Sequence, residues 1–326
     1  MSPRLGEDDL IARYFAPLAG PEGLGLRDDA ALMRPPPGED LVLTADALVA
    51  GVHFFADDPP EAIARKALRV NLSDLAAKGA RPLGFLLTLA LPGDWREAWL
   101  KAFAEGLGAD AGRYDCPLVG GDTVATPGPL MLSVTAIGAV PEGRMARRTG
   151  VTPGDRLYVT GTIGDAAIGL RLRQGRGPDI PQVDKAFLIE RYLTPEPRLK
   201  LIAAMTTHAN GGMDVSDGFV GDLRKMLVAS GVSARVPIYR LPLSPAARAA
   251  IAADPGLFEV AATGGDDYEL LASAAPESAP AFEAAAAAAG VPLTFVGEAL
   301  EGRRPPSFIG PDGNPVVFGR GAYSHF

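Results

Sequence analysis

The hydrophobic positions in the first half of the chain alternate between helical and strand-like spacing. Helical spacing predicts a short packing helix over 7–15, a helix from Pro59 to about residue 77, and a helix from Trp95 to about residue 112. Nearly continuous apolar runs predict strands over 41–43, 83–91 and 131–140, and a short strand over 118–119 that leads into Gly120-Gly121-Asp122-Thr123. We assign the stripe of Trp99, Phe103 and Leu107 to core packing, because these residues are spaced by four. The first half is therefore predicted to be α/β.

The second half repeats this strand, turn and helix pattern. A predicted strand over 157–160 is followed by Gly161 to Gly164, which we interpret as a tight turn into a helix, because no lysine completes a Walker-type phosphate loop. Helices are predicted from Pro195, with Thr194 as its cap, from Ser216-Asp217, and in the alanine-rich tract 282–290, and a hairpin turn is predicted at Asp312-Gly313.

The length of the chain predicts two domains. At 326 residues it exceeds what one hydrophobic core usually supports. Gly150, Pro153 and Gly154 form a linker-like joint just before a predicted strand. We therefore predict an N-terminal domain over 1–148 and a C-terminal domain over 149–326.

Composition excludes several classes of chemistry. The formal net charge is −8, and no basic run is longer than Arg147-Arg148, so we expect no nucleic-acid partner. Cys116 is the single cysteine, which excludes an internal disulfide and a thiolate metal cage and favours a reducing compartment. No apolar run is long enough to span a bilayer, so we expect a cytoplasmic protein without a membrane partner. With only three histidines, carboxylates are expected to carry the chemistry.

Aspartates recur beside glycines or at the ends of apolar runs. They are Asp28, Asp29, Asp46, Asp74, Asp122, Asp214, Asp217, Asp266 and Asp267. Each alone has an ordinary structural interpretation, because aspartate is common in turns and at helix N-caps. Two carboxylates 4 Å apart repel by about 4 kcal/mol at an effective dielectric near 20, so several in one cleft require cations. Magnesium that bridges carboxylates to the phosphates of a substrate would satisfy such a site.

Seven segments, in this order along the chain, resemble the motifs of the thiamine-monophosphate kinase family and span nearly the whole sequence. They are Arg27-Asp28-Asp29-Ala30-Ala31-Leu32, residues 44–54 (TADALVAGVHF), residues 70–77 (VNLSDLAA), Gly120-Gly121-Asp122-Thr123, Asp214-Val215-Ser216-Asp217-Gly218, residues 264–270 (GGDDYEL) and Tyr323-Ser324-His325-Phe326.

This resemblance implies the two-domain α/β fold of the aminoimidazole ribonucleotide synthetase-like superfamily. In that fold the N-terminal α/β domain forms the dimer sheet with its twin, and a C-terminal α/β domain completes the protomer. The implied reaction is ATP-dependent phosphorylation of thiamine monophosphate to thiamine diphosphate, with several Mg²⁺ ions and often K⁺. The expected partners are therefore ATP, thiamine monophosphate and a second copy of the chain.

The resemblance also implies roles for individual residues. The expected magnesium ligands are Asp29, Thr44, Ala45, Asp46, Asp74, Asp122, Asp214 and Asp217. The residues expected to contact the nucleotide are Gly121, Asp122, Arg148 and Ser216, and Asp122, Asp214 and Arg148 are expected to act in catalysis. The residues expected to face thiamine monophosphate are His53, Asp266 and Tyr323.

Three positions depart from the family pattern. Arg27 stands where the family commonly has glycine, Ala45 where it has threonine or serine, and Asp266 where it has glutamate. Ala45 offers only its backbone carbonyl. Asp266 is one methylene shorter than glutamate, so its carboxylate reaches less far toward the substrate.

Other functions remain open at this point. Selenophosphate synthetase would carry a reactive cysteine near its start, and the related carbamoyl dehydratase would end in cysteine; this chain has neither. Aminoimidazole ribonucleotide synthetase fits poorly around His53 and the 264–270 segment. A non-catalytic module that binds metal and nucleotide is a further alternative. For a kinase whose acceptor is a phosphate oxygen, already ionised at neutral pH, we expect direct in-line transfer without a general base or a phosphoenzyme.

Overall fold

Two β-sheets, one in each of two compact units, organise residues 6–319, the part of the chain that the computed structural model describes. The first unit comprises 6–75 and 81–143, and the second comprises 76–80 and 144–319. Both units combine helices with a sheet, so the predicted two-domain α/β architecture is confirmed. The domain boundary after residue 148 stays a prediction.

The sheet of the first unit has four strands among the described residues. They are β1 (Glu39–Val49), β2 (Arg81–Pro92), β3 (Leu118–Thr126) and β4 (Met131–Pro141). Their order is β1-β4-β2-β3, and the pairs are antiparallel except for β2 with β3. Every strand predicted in this half of the sequence lies within one of these four.

Two of these strands continue beyond the ends that the sequence predicted. β1 extends to Val49, so Asp46 lies inside the strand and not at its carboxyl end. β3 likewise includes Gly120 and Asp122, which the sequence placed after the end of a short strand. All of β1 is paired with β4, and the extended part of β3 is paired with β2. The backbone hydrogen bonds of this pairing hold the polar and glycine-containing segments in strand conformation, although their side chains alone do not predict a strand.

The helices of the first unit close one face of its sheet. They are α1 (Glu7–Leu10), continued by a π-helical turn (Ile11–Phe15) and two 3₁₀ turns (Ala16–Leu18 and Pro21–Leu26), α2 (Pro60–Ala77) and α3 (Glu97–Arg113). Phe103 and Leu107 are fully buried, and Trp99 stacks on Phe103 with ring centroids 5.1 Å apart. The assignment of this stripe to core packing is therefore confirmed.

A buried ion pair joins α2 to α3. The Arg69 guanidinium donates to both carboxylate oxygens of Asp110, with Nε–Oδ2 at 2.5 Å and Nη2–Oδ1 at 3.0 Å. Their side chains are 7% and 4% exposed. Removing one partner of a buried pair of this kind is destabilising, because the remaining buried charge loses the compensation that the pair provides.

The opposite face of the first sheet, here called the open face, is largely exposed. By strand register it comprises residues 41, 43, 45 and 47 of β1, residues 131, 133, 135 and 137 of β4, residues 86, 88 and 90 of β2, and residues 122 and 124 of β3. Leu43 is 63% exposed and Val124 is 43% exposed. On the helix-covered face, by contrast, Phe85, Leu87 and Leu89 of β2 are buried.

The second unit contains a six-stranded sheet within its described residues. Its strands are β5 (Arg156–Thr160), β6 (Gly211–Asp214), β7 (Ser233–Pro237), β8 (Leu270–Ala274), β9 (Leu293–Leu300) and β10 (Ser307–Ile309), in the order β10-β7-β9-β5-β8-β6. The pairs are antiparallel except for β10 with β7. Leu157 and Val159 point into one apolar cluster and Tyr158 into another, so both faces of this sheet are covered.

The helices of the second unit agree only in part with the prediction. They are α4 (Asp165–Arg173), α5 (Gln182–Leu193), α6 (Ile202–His208), α7 (Phe219–Ser230), α8 (Pro245–Ala253), α9 (Leu257–Thr263) and α10 (Ala279–Ala288), with 3₁₀ turns at Leu199–Leu201 and Ile238–Arg240. The glycine turn before α4, the alanine-rich helix and the turn at Asp312-Gly313 are confirmed.

Two predicted helix starts were wrong. No helix begins at Pro195; Thr194 instead follows the end of α5, and helical structure resumes only at Leu199. Pro195 and Pro197 explain this, since a proline disfavours helical backbone at the residue before it. The helix predicted from Ser216-Asp217 begins at Phe219, because Gly218 has a φ of 122° that no helical residue adopts.

Within residues 6–319 no helix has both the length and the apolar character required to cross a membrane.

Candidate active site

A cavity of about 670 Å³ in the first unit brings together three of the predicted site residues. It lies between the open face and the segment that precedes β1. Asp29 lines it from that segment, and Gly121 and Asp122 line it from β3. Asp28 and Thr88 add further oxygen atoms to the same wall. The cavity therefore combines carboxylates, a hydroxyl group and strand backbone with an apolar remainder, which suits a ligand that brings a cation to the carboxylates and an apolar part to the rest.

Gly121 allows this wall to form. Its φ is 153°, and a Cβ atom at this position would lie 1.8 Å from the carbonyl oxygen of Leu87 on β2. Only glycine permits so close an approach of the two strands. The approach places Asp122 opposite Thr88 in the register, on the open face.

A second group of predicted residues lies on the other face of the same sheet. Thr44 and Asp46 alternate with exposed residues of β1 and face α2. The Thr44 hydroxyl donates to Oδ2 of Asp74, and the Asp46 amide donates to Oδ1 of Asn71 at 3.1 Å. Ala45 lies on the open face, as strand alternation requires. The structure thus ties Thr44 to Asp74 and the backbone of Asp46 to Asn71, and both partners lie on α2.

His53 lies in the loop after β1 and is half-buried. Its Nδ1 accepts a hydrogen bond from the Val49 amide at 3.0 Å, so the proton of the neutral ring lies on Nε2. Lys66, only 2% exposed, donates to the His53 carbonyl at 3.1 Å. The imidazole is therefore held in one orientation, with Nε2 as its remaining donor.

In the second unit the predicted residues cluster just after β6. Asp214 is the last residue of that strand and is 7% exposed. The carbonyl of Ser216 accepts from the amide of Asp266 at 2.9 Å. This contact joins the 214–218 segment to the 264–270 segment. Asp266 has a φ of 73°, the left-handed region that a non-glycine residue rarely adopts.

Asp217, predicted as a magnesium ligand, is paired with Lys225 in this structure. Lys225 also contacts Asp222 at 2.9 Å, and Asp222 accepts from the amides of Asp217 and Gly218 at 2.8 and 3.0 Å. Burial raises the pKa of Asp222, and the hydrogen bond from Lys225 opposes that shift. Asp222 and Lys225 are not among the residues predicted from the sequence, although their i, i+3 spacing after a glycine was a usable signal.

Arg148 is not part of the Asp214 segment, and its side chain is exposed. Its backbone carbonyl accepts from the Ser230 hydroxyl at 2.9 Å, which fixes the main chain beneath it. Tyr323 lies outside the described residues.

The predicted ligands do not form a closed metal cage. Among residues 6–319, no three or more His, Cys, Asp or Glu side chains gather in a way that could hold a metal ion. The described residues present three sets of oxygen donors, two in the first unit and one in the second. These are the cavity pair Asp29 and Asp122, the group on β1 and α2, and the Asp214 segment.

The sequence matches two adjacent domain families. Residues 27–140 match "AIR synthase related protein, N-terminal domain", and residues 152–309 match "AIR synthase related protein, C-terminal domain". A thiamine-monophosphate kinase from Caulobacter vibrioides is 47% identical over 301 residues, which are 91% of this chain and 84% of that protein.

Solved structures agree with these sequence matches. The thiamine-monophosphate kinase of Stenotrophomonas maltophilia is 41% identical, with a TM-score of 0.80 over 89% of this chain and 91% of that one. A structure described as AaThiL complexed with AMPPCP and TMP is 29% identical, with a TM-score of 0.79 over 100% of both chains. The resemblance found in the motifs is therefore confirmed, and the chain belongs to the thiamine-monophosphate kinase family of the AIR synthase related proteins.

Proposed function

We propose that this chain transfers the γ-phosphoryl group of ATP to thiamine monophosphate, which yields ADP and thiamine diphosphate. The observation that carries the proposal is the likeness, over the whole length of both chains, to a protein whose structure was solved with AMPPCP and TMP. The cavity on the open face supports it, because carboxylates and glycine backbone line one side of a space large enough for a nucleotide.

Magnesium fits the donors that these sites offer. The cavity pair, Thr44 with Asp74, and Asp214 supply only oxygen atoms, which Mg²⁺ prefers over nitrogen or sulfur. Mg²⁺ usually retains several waters and takes one or two carboxylates together with substrate phosphates, so the lack of a closed cage among the described residues suits it. When bound, Mg²⁺ would neutralise charge on the phosphate oxygens. We propose Asp29, Asp46, Asp74, Asp122, Asp214 and Asp217 as its carboxylate ligands, with Thr44 and the Ala45 carbonyl beside them, and K⁺ as an additional monovalent ion.

The residues of the chain then act by binding and alignment. We propose that Gly121, Arg148 and Ser216 contact the nucleotide and that the Arg148 guanidinium neutralises charge on the transferring group. His53, Asp266 and Tyr323 are proposed to face thiamine monophosphate. The attacking phosphate oxygen is ionised at neutral pH, so no side chain needs to remove a proton and transfer is direct and in line.

We also propose that two copies associate through the open face. Leu41, Leu43 and Val124 are 38%, 63% and 43% exposed on it. An apolar sheet face of this kind is rarely left in water. Replacing Leu43 by glutamate should convert a dimer into a monomer in analytical ultracentrifugation. Glutamate at Val183, an exposed residue of the second unit, serves as the control. A wild-type chain that sediments as a monomer at micromolar concentration would exclude this arrangement.

We assign the protein to the cytoplasm, where the buried thiol of Cys116 stays reduced. Fractionation of cells that produce the protein at its natural level tests this location.

Phosphorus NMR of the purified protein with magnesium ATP and thiamine monophosphate tests the reaction itself. Equal amounts of ADP and thiamine diphosphate are expected, and no signal from a phosphorylated protein. Samples that lack one component at a time serve as controls. Consumption of ATP without thiamine diphosphate would indicate another acceptor, and binding without turnover would favour a regulatory metal–nucleotide module.

A further inference from the structure

Residues 264–269, Gly-Gly-Asp-Asp-Tyr-Glu, form a loop whose side chains alternate in exposure. Asp267 and Glu269 are 1% and 0% exposed, whereas Asp266 and Tyr268 are half-buried. Asp266 and Tyr268 also have positive φ angles of 73° and 51°. A non-glycine residue in this region is strained, so the conformation persists only where surrounding contacts enforce it.

Glu269 supplies the strongest of these contacts. Its carboxylate accepts from Arg198 Nε at 2.6 Å and also from Arg198 Nη2, from Arg191 Nη2 at 2.8 Å, and from the Thr160 hydroxyl at 2.7 Å. The two guanidinium groups balance the buried negative charge, and the planar fork of Arg198 fixes its orientation. Glu269 is therefore held from three directions at the base of the loop.

Asp267 anchors the loop to the glycine turn before α4. Its oxygens accept from the amides of Gly164 at 2.6 Å and Ala166 at 3.2 Å. Burial raises the pKa of this carboxyl group, and the two amide hydrogen bonds oppose that shift. Gly161 in the same turn leaves room for the neighbouring anchor, because a Cβ atom there would lie 2.1 Å from Oε1 of Glu269. The turn is thus shaped to receive both buried carboxylates.

Backbone hydrogen bonds connect the loop to the segment after β6. The amides of Asp266 and Tyr268 donate to the carbonyls of Ser216 and Val215, each at 2.9 Å, and the Val215 amide donates to the Glu269 carbonyl at 2.8 Å. The loop is therefore tied to the backbone of the Asp214 segment. That segment is also held by the pairing of β6 with β8, so a change in the Glu269 side chain acts first on the loop.

We infer that Glu269 is a positioning residue for the phosphate acceptor. Through Arg191 and Arg198 it holds the loop so that Asp266 and the Tyr268 ring share the less buried side. A carboxylate beside an aromatic ring suits the cationic heterocycle of thiamine monophosphate. This inference rests on the proposed function, because it takes Asp266 as a residue that contacts the substrate.

The test compares Glu269→Gln with Asp155→Asn. Asp155 is a matched control, since it is 1% exposed in the same unit and accepts hydrogen bonds from Thr152, Asn210 and Ser273 but none from the loop. Glu269→Gln should raise the KM for thiamine monophosphate by about tenfold or more and leave the KM for ATP within about twofold. Asp155→Asn should leave both constants near the wild-type values even where it lowers Tm.

A second readout does not depend on activity. Hydrogen exchange of the peptide that contains 264–270 should be at least about tenfold faster in Glu269→Gln than in the wild type, and unchanged in Asp155→Asn. If Glu269→Gln does not fold, Arg198→Lys replaces it, because lysine keeps the charge but not the bidentate contact.

Three outcomes would overturn the inference. They are unchanged exchange of the loop, equal increases in both KM values, and a lowered Tm with both KM values intact. A wild-type protein that makes no thiamine diphosphate would instead refute the proposed function. In that case the exchange data would still decide whether Glu269 fixes the loop.

Discussion

Gly121→Ala tests whether the close approach of β3 to β2 builds the cavity wall. A Cβ atom at this position would lie 1.8 Å from the Leu87 carbonyl oxygen, and real Cβ contacts essentially never fall below 3.0 Å. Because the obstacle is backbone, it cannot rotate away. The two strands must therefore separate locally by roughly 1 Å, a displacement that can cost about 100-fold in catalysis when it moves a site.

Asp122 is the adjacent residue on β3, so the displacement falls directly on the proposed magnesium site. We expect kcat/KM for ATP to fall by about 100-fold, or roughly 2.7 kcal/mol of transition-state stabilisation. Backbone strain of about 1–3 kcal/mol should also lower Tm by about 5 °C. A coupled assay for ADP and a thermal melt measure the two effects.

Gly128→Ala provides the control. Gly128 lies in the turn between β3 and β4 and is not among the residues that line the cavity, and a Cβ atom there would lie 3.4 Å from the Thr126 hydroxyl oxygen, an ordinary van der Waals contact. Its activity and Tm should remain near the wild-type values. The reasoning would be refuted if Gly121→Ala kept full activity, or if the two variants lost activity equally.

Three further results are expected. Asp122→Asn should lower turnover by at least about 100-fold and leave Tm unchanged. Asp94→Asn, in an exposed turn, serves as the control and should have no effect. Near-wild-type turnover of Asp122→Asn would remove Asp122 from the site. Asp110→Ala removes the carboxylate that pairs with the buried Arg69 guanidinium and should lower the free energy of unfolding in urea by about 3–5 kcal/mol, against less than about 0.5 kcal/mol for Glu105→Gln in an exposed pair. Burial raises the pKa of Cys116 to about 12, so the folded state keeps a proton that the unfolded chain releases near pH 9. The free energy of unfolding should therefore fall by about 1.4 kcal/mol per pH unit between about pH 9 and 12, and it should fall less steeply in Cys116→Ala. Equal slopes in the two proteins would contradict the raised pKa of Cys116.

Much of the fold could be predicted because it depends on local pattern. Continuous apolar runs marked β2 and β4, and helical spacing marked α2 and α3. The failures occurred where neighbours or single residues override the pattern. Sheet pairing extended β1 and β3, two prolines prevented the helix predicted at Pro195, and Gly218 delayed the start of α7.

The sequence alone determined the family, and the comparisons confirmed it. The aspartates in its ordered motifs also supplied the candidate oxygen donors, whose roles stay predictions. Which donors meet was decided only by tertiary structure. Strand alternation places Thr44 and Asp46 toward α2 but Ala45 toward the open face, and cavity formation joins Asp29 to Asp122.

Tertiary structure also separated two kinds of acidic residue that look alike in sequence. Asp266 and Asp267 are neighbours, yet one lies on the half-exposed side of its loop and the other is a buried anchor on the turn before α4. Glu269 is also a buried anchor, because Arg191 and Arg198, which lie far from it in the sequence, donate to its carboxylate in the folded chain. Local pattern encodes which atoms are available, whereas burial and long-range partners decide which of them meet a ligand and which hold the fold.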